Sequence, residues 1–96
     1  MRDLNEVLEQ YGRFSTVLVA RKSPDDSPGL VEILVGAGLN VIGPVDRAAH
    51  ALALTAQSSV DLAIVTPELA GRRNGRELAQ VLEETWGVPA YVLPAA

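Results

Sequence analysis

The sequence predicts an α/β protein, a doubly wound parallel sheet with helices packed on both faces. Three observations carry this reading. Short strand-like stretches recur at 16–20, 40–45, 61–66 and 88–93, the first a continuous run of β-formers without the polar alternation of a strand that faces water on one side. Stretches of helical periodicity lie between them. The connections are short and carry glycine or proline, so each strand–helix–strand unit closes as a right-handed crossover between parallel strands.

Residues 2–12 place Leu4, Val7, Leu8 and Tyr11 at i, i+3, i+4 and i+7, with Asp3, Glu6 and Glu9 off that stripe and Gly12 as a stop. An amphipathic N-terminal helix over 1–13 is expected, ahead of an α/β domain over 14–96. Thr16 to Ala20 (TVLVA) is the first strand, apolar enough to be buried on both faces. Arg21 to Gly29 is polar, and either Ser27–Pro28 or Ser23–Pro24 offers an N-cap with proline at the first helical position. The helix that follows carries Leu30, Val31, Leu34 and Val35 and stops at Gly36 to Gly38. Asn40 to Val45 is the second strand, with Pro44 near its end. Asp46 can cap the next helix, whose face is Ala49, Leu52, Ala53 and Ala56. Asp61 to Thr66 is the third strand and Pro67 to Gly75 a loop. Leu78, Val81, Leu82 and Trp86 mark the last helix, closed by Gly87, and Val88 to Leu93 form the last strand.

Length and composition bound what this sheet can do. The 96 residues make one domain, of a size that buries only somewhat more than ~60% of its chain surface. With no cysteine there is no disulfide scaffold, thiolate metal site or cysteine nucleophile, and with His50 alone no two-histidine metal cluster. A net charge of −4 argues against nucleic acid or an anionic membrane surface as partner. The longest uncharged stretches, 33–45 and 48–60, are 13 residues each, short of the ~18 that a membrane-spanning helix needs. The charged start MRDLNEVLEQ lacks the apolar core of a secretion signal, so a cytoplasmic protein is expected.

In an open α/β sheet ligands bind at the carboxyl ends of the strands, which directs attention to Arg21 and Lys22, Pro44 to Asp46, Thr66 to Glu68, and Pro94. Around these positions the sequence resembles the receiver domains of two-component response regulators. Asp61 to Ala79 (DLAIVTPELAGRRNGRELA) reads like the third strand of a receiver, its loop and the next helix, in the branch where a Gly-Pro pair, here Gly43–Pro44, ends the second strand. Val17 to Pro24 (VLVARKSP) is similar to the first strand and its acidic turn, and Gly87 to Leu93 (GVPAYVL) to the fourth strand. The resemblance spans about residues 15 to 94 and implies a flavodoxin-like, three-layer α/β/α fold with its four strands in the order 2-1-3-4.

The departures from the receiver pattern decide the functional expectation. The resemblance places the phosphoacceptor aspartate at Thr66, and a threonine hydroxyl is a poor nucleophile without an adjacent base. His50, inside a predicted helix, is badly placed to serve as one. The acidic pair that holds Mg²⁺ through carboxylate oxygens falls on Arg21 and Lys22, which invert the charge. Asp25 and Asp26 lie too far on and suit a helix N-terminus instead. The hydroxyl-bearing switch position falls on Pro94, and the switch lysine after a fifth strand has no counterpart. No catalytic residue, metal or cofactor is therefore expected.

The remaining signals have plainer readings. Gly36 to Gly38 is a helix stop, not a dinucleotide fingerprint, since it follows a helix. His50 reads as a solvated surface residue. Arg72, Arg73 and Arg76 around Gly71 and Gly75 read as a solvated loop or as an anion site at a helix N-terminus.

The expectation is thus a phosphorylation-independent, receiver-like interaction module of a two-component system. Its partner is a second copy of the chain or another signalling protein, a kinase or regulator, and neither nucleic acid nor membrane. Two surfaces are candidates. One is the stripe Leu4, Val7, Leu8 and Tyr11, which either caps the core or makes the contact. The other is the strand edge Ala90, Tyr91, Val92 and Leu93, which the four-strand order leaves unpaired. The alternative is a small anion- or phosphate-binding protein or enzyme that uses Arg21, Lys22, Arg72 and Arg73, and a third is a shortened product of a longer parent with an output domain.

Overall fold

The computed structural model describes residues 15–23 and 29–93. The predicted N-terminal helix, the paired prolines Pro24 and Pro28, Ser27, Asp25, Asp26 and Pro94 lie outside the described residues. Within them the chain runs β1 (Thr16–Ala20), α1 (Leu30–Gly36), β2 (Asn40–Val45), α2 (Ala48–Gln57), β3 (Leu62–Val65), α3 (Gly75–Trp86) and β4 (Ala90–Val92). The strands form one sheet in the order β2-β1-β3-β4, and every pairing is parallel. This is the expected fold, with the expected order.

Residue alternation along the strands sorts the core into two layers. Leu18, Ala20, Ala63 and Val65 point to one face and pack with Ala48 and Ala51 of α2 and Leu78, Ala79 and Leu82 of α3. Val17, Val19, Leu62 and Ile64 point to the other, with Leu30 and Leu34 of α1. Because β1 and β3 are central and covered on both sides, their side chains from Val17 to Ala20 and from Leu62 to Val65 are all buried. That is the physical reason their sequences show no polar alternation. Each large side chain so buried contributes about 1.5–3 kcal/mol.

The amino ends of the central strands are tied together by a reciprocal pair. The Thr16 N–H donates to the Asp61 carboxylate at 2.7 Å, and the Asp61 N–H donates to the Thr16 carbonyl at 2.8 Å. At the other end of β1 the register with β2 shifts between Leu18 and Ala20. Opposite that shift lies Gly43, at φ 97, joined to Pro44 by a cis peptide bond.

Several local expectations need correction. The cap position of α1 is Gly29, in the left-handed region, and no side chain caps the helix. Val35 is 58% exposed, so the buried face of α1 rests on Leu30 and Leu34 alone. Arg47, not Asp46, occupies the cap position of α2, again without a side-chain hydrogen bond. The buried face of α2 is Ala48, Ala51 and Thr55, one residue out of phase with the predicted one. Thr55 can enter the core because its hydroxyl donates to the Ala51 carbonyl at 2.9 Å. Trp86, assigned to the stripe of α3, is 43% exposed at the helix end. The third and fourth strands are also shorter than predicted, Leu62–Val65 and Ala90–Val92.

Candidate functional site at the carboxyl ends of the strands

The carboxyl ends of β1, β2 and β3 and the loops that follow them bring most of the predicted site residues to one edge of the molecule. Arg21 and Lys22 follow β1 directly, and the Arg21 N–H donates to the Val45 carbonyl at 2.8 Å, which locks the ends of β1 and β2 together. Arg21, Lys22, Asp46 and His50 line a shallow, polar hollow of about 320 Å³. His50 is exposed, as expected.

Thr66 directly follows β3 and does not line that hollow. It is 3% exposed. Its N–H donates to the Ala20 carbonyl at 3.0 Å, and its hydroxyl donates to the Glu68 carbonyl at 3.0 Å. The hydroxyl proton is thus committed to a backbone acceptor.

Arg72 and Arg73 border a second hollow, of about 410 Å³, with an apolar floor that includes Ala48, Leu52 and Ala70. Arg47 joins them there. The loops after β2 and β3 are stitched together beside it, by a parallel bridge between Arg47 and Ala70 and by the Ala70 N–H donating to the Asp46 carbonyl at 2.8 Å. The four cations of the anion-binding expectation therefore do not share one cavity, since Arg21 and Lys22 line one hollow and Arg72 and Arg73 the other. Arg76, grouped with them by sequence, instead borders a groove beside β4 with Glu83, Glu84 and Val92. Arg47 was missed because it is remote in sequence from Arg72. Its position at the end of β2, the part of the fold where ligands gather, is the one signal that could have drawn attention to it. Arg47 also lies 3.8 Å from Asp46, but with both side chains more than half exposed the pair contributes little.

Among the described residues no three His, Asp or Glu side chains cluster as metal ligands would. No helix among them is long and apolar enough to cross a membrane. Ala90, Tyr91, Val92 and Leu93 are half-buried, and β4 is an outer strand that pairs with β3. Helix α3 starts with a feature absent from the sequence reading, a capping box. The Glu77 N–H donates to the Asn74 side-chain oxygen at 2.9 Å, and the Asn74 N–H donates to the Glu77 carboxylate at 3.1 Å.

Fold and site together define a class, a flavodoxin-like α/β sheet with cationic hollows at the carboxyl ends of its strands. No protein-family model, curated protein or solved structure matches the chain.

Proposed function

We propose that the protein is a receiver-like signalling module that acts by binding another protein and carries out no phosphotransfer. The observation that supports this most is the state of Thr66. In a parallel sheet of order 2-1-3-4, the residue directly after the third strand is a buried threonine whose hydroxyl donates to the Glu68 carbonyl. Arg21 and Lys22 follow the first strand, where the resemblance calls for a Mg²⁺-binding acidic pair. A fixed cation pair holds a constant charge whatever the phosphorylation state of the cell. Such a module would signal through abundance or partner binding. A second copy of the chain, meeting the first through the β4 edge, is the partner this reading favours.

Incubation with acetyl phosphate and Mg²⁺, followed by intact mass measurement, tests the first part. The expected mass is unchanged, and a phosphoryl adduct sensitive to hydroxylamine would overturn the reading. Light scattering after size exclusion tests the second. A folded monomer at micromolar concentration would remove the homodimer and leave a different protein as the partner.

A second reading is favoured by the three arginines, Arg47, Arg72 and Arg73, that line one apolar-floored hollow. It is an anion-binding role for that hollow. Titration with pyrophosphate, followed by amide chemical shifts, supports it if Ala48, Ala70 and Gly71 move together and saturably. It fails if no shift saturates.

A further inference from the structure

One face of the sheet is more deeply buried than the described elements on it can account for. Val17 and Val19 of β1 and Ile64 of β3 have no exposed surface, and Leu62 of β3 has 2%. The described helix on this face is α1, seven residues long, and it packs on β2, the outermost strand on its side. A helix about 10 Å wide spans roughly two strands at ~4.8 Å spacing. Leu30 and Leu34 can therefore roof β2 and β1, but β3 and β4 lie beyond their reach. Tyr91 and Leu93 flank this part of the face. Side chains on neighbouring strands stand side by side off the sheet, so they flank Leu62 and Ile64 without covering them.

The cover must bring large apolar side chains. Pro24 to Pro28 (PDDSP) and Pro94 to Ala96 (PAA) have none to bring. Residues 1–14 have Leu4, Val7, Leu8 and Tyr11 at helical spacing on one stripe. They also enter the sheet at the amino end of β1, the strand beside β3. In helical form the stripe from Leu4 to Tyr11 extends about 11 Å at ~1.5 Å per residue, close to the ~13 Å of a four-residue strand.

We propose that the β3–β4 part of this face, centred on Leu62, Ile64 and Leu93, is the docking surface for the Leu4–Tyr11 stripe of the same chain. The stripe is then a component of the core, and the β4 edge is left as the surface for a partner. The absence of cysteine makes the test direct. A nitroxide placed at Glu9→Cys, off the stripe, should broaden the resonances of Leu62, Ile64 and Leu93 strongly and leave those of Leu78 and Leu82, on the opposite face, sharp. A label at Glu6→Cys should give the same result if the first position perturbs the segment. Adding Leu8→Asp should abolish the broadening. Broadening of both faces, of α1 alone, or of neither face would overturn the proposal. So would broadening that persists when labelled chains are diluted into isotope-enriched unlabelled ones, because the stripe would then dock on a second copy.

Discussion

Gly75, the first residue of α3, sits against the backbone of Thr66 so closely that a β-carbon on it would collide with the Thr66 carbonyl oxygen and stand 2.8 Å from the carbonyl carbon. The same glycine donates its N–H to the Pro67 carbonyl at 2.8 Å. Strand end, loop and helix start are thereby pressed into one packed unit, and the obstacle is backbone, which cannot rotate aside. We expect Gly75→Ala to cost about 3 kcal/mol or more, a large share of a typical ~5–15 kcal/mol total. Gly36→Ala is the control. It meets nothing within 4 Å and has an ordinary φ, so its effect should lie between neutral and ~1 kcal/mol stabilising. Urea midpoints of the two variants, compared with the parent, check both.

The capping box of α3 makes a second prediction. Asn74→Ala removes the acceptor for the Glu77 N–H and should destabilise by ~1 kcal/mol, whereas Asn74→Asp should retain most of the stability. Thermal unfolding of the pair reads the difference. An equal loss in both variants would mean that the box contributes through something other than its acceptor oxygen.

The capping box also shows where the sequence was legible and was not read. Asn74 followed three residues later by Glu77 is a local signal with a local cause, set among the more conspicuous arginines Arg72, Arg73 and Arg76. The strands were legible for a global reason: TVLVA and LAIV are apolar on both faces because both faces are covered. The phase of α2 was not legible. In Ala48 to Ala56 (AAHALALTA) nearly every position is small or apolar, so no stripe stands out, and the choice of Ala51 and Thr55 as the inner face is made by the sheet. The same holds for α1, whose Ile33 and Val35 look as buriable as Leu34 yet are about half exposed. At the carboxyl ends, Arg21, Lys22 and Thr66 were placed correctly at the strand ends by pattern alone. The separation of the arginines into two hollows, and the recruitment of Arg47, depend on how loops pair in space.

Gly43 carries a third prediction. Its φ of 97 disfavours any L side chain, and a β-carbon there would stand 2.8 Å from the Val19 carbonyl oxygen and 3.0 Å from the Val45 nitrogen. The close approach occurs where the β1–β2 register shifts between Leu18 and Ala20. Gly43→Ala should therefore cost ~2 kcal/mol or more, from overpacking and left-handed strain together. Amide hydrogen exchange should quicken at Arg21, whose N–H bonds Val45, before it does at Ala63, deep in the sheet on the far side of β1. Uniform loss of protection would show that the strain spreads through the sheet rather than staying at the bulge.

Restoring a carboxylate at the end of β3 tests what burial does to chemistry at that position. Thr66→Asp exchanges a hydroxyl with an acceptor for a carboxyl at a site only 3% exposed. Desolvation favours the neutral acid, so its pKa in the folded state should rise above the ~3.9 of the unfolded chain. The sign of the linkage follows from that direction. Below pH ~4 the group is neutral in both states and the variant loses little beyond the hydrogen bond. As pH rises toward the folded-state pKa, the unfolded chain ionises first and the deficit grows, levelling off once the folded group ionises too. The gap in unfolding free energy between parent and Thr66→Asp should therefore be smaller at pH 4 than at pH 7. A gap independent of pH would mean that water or a cation reaches the new carboxylate. The variant should also remain unlabelled by acetyl phosphate, because Arg21 and Lys22 offer no oxygen ligands to Mg²⁺ at the neighbouring strand end.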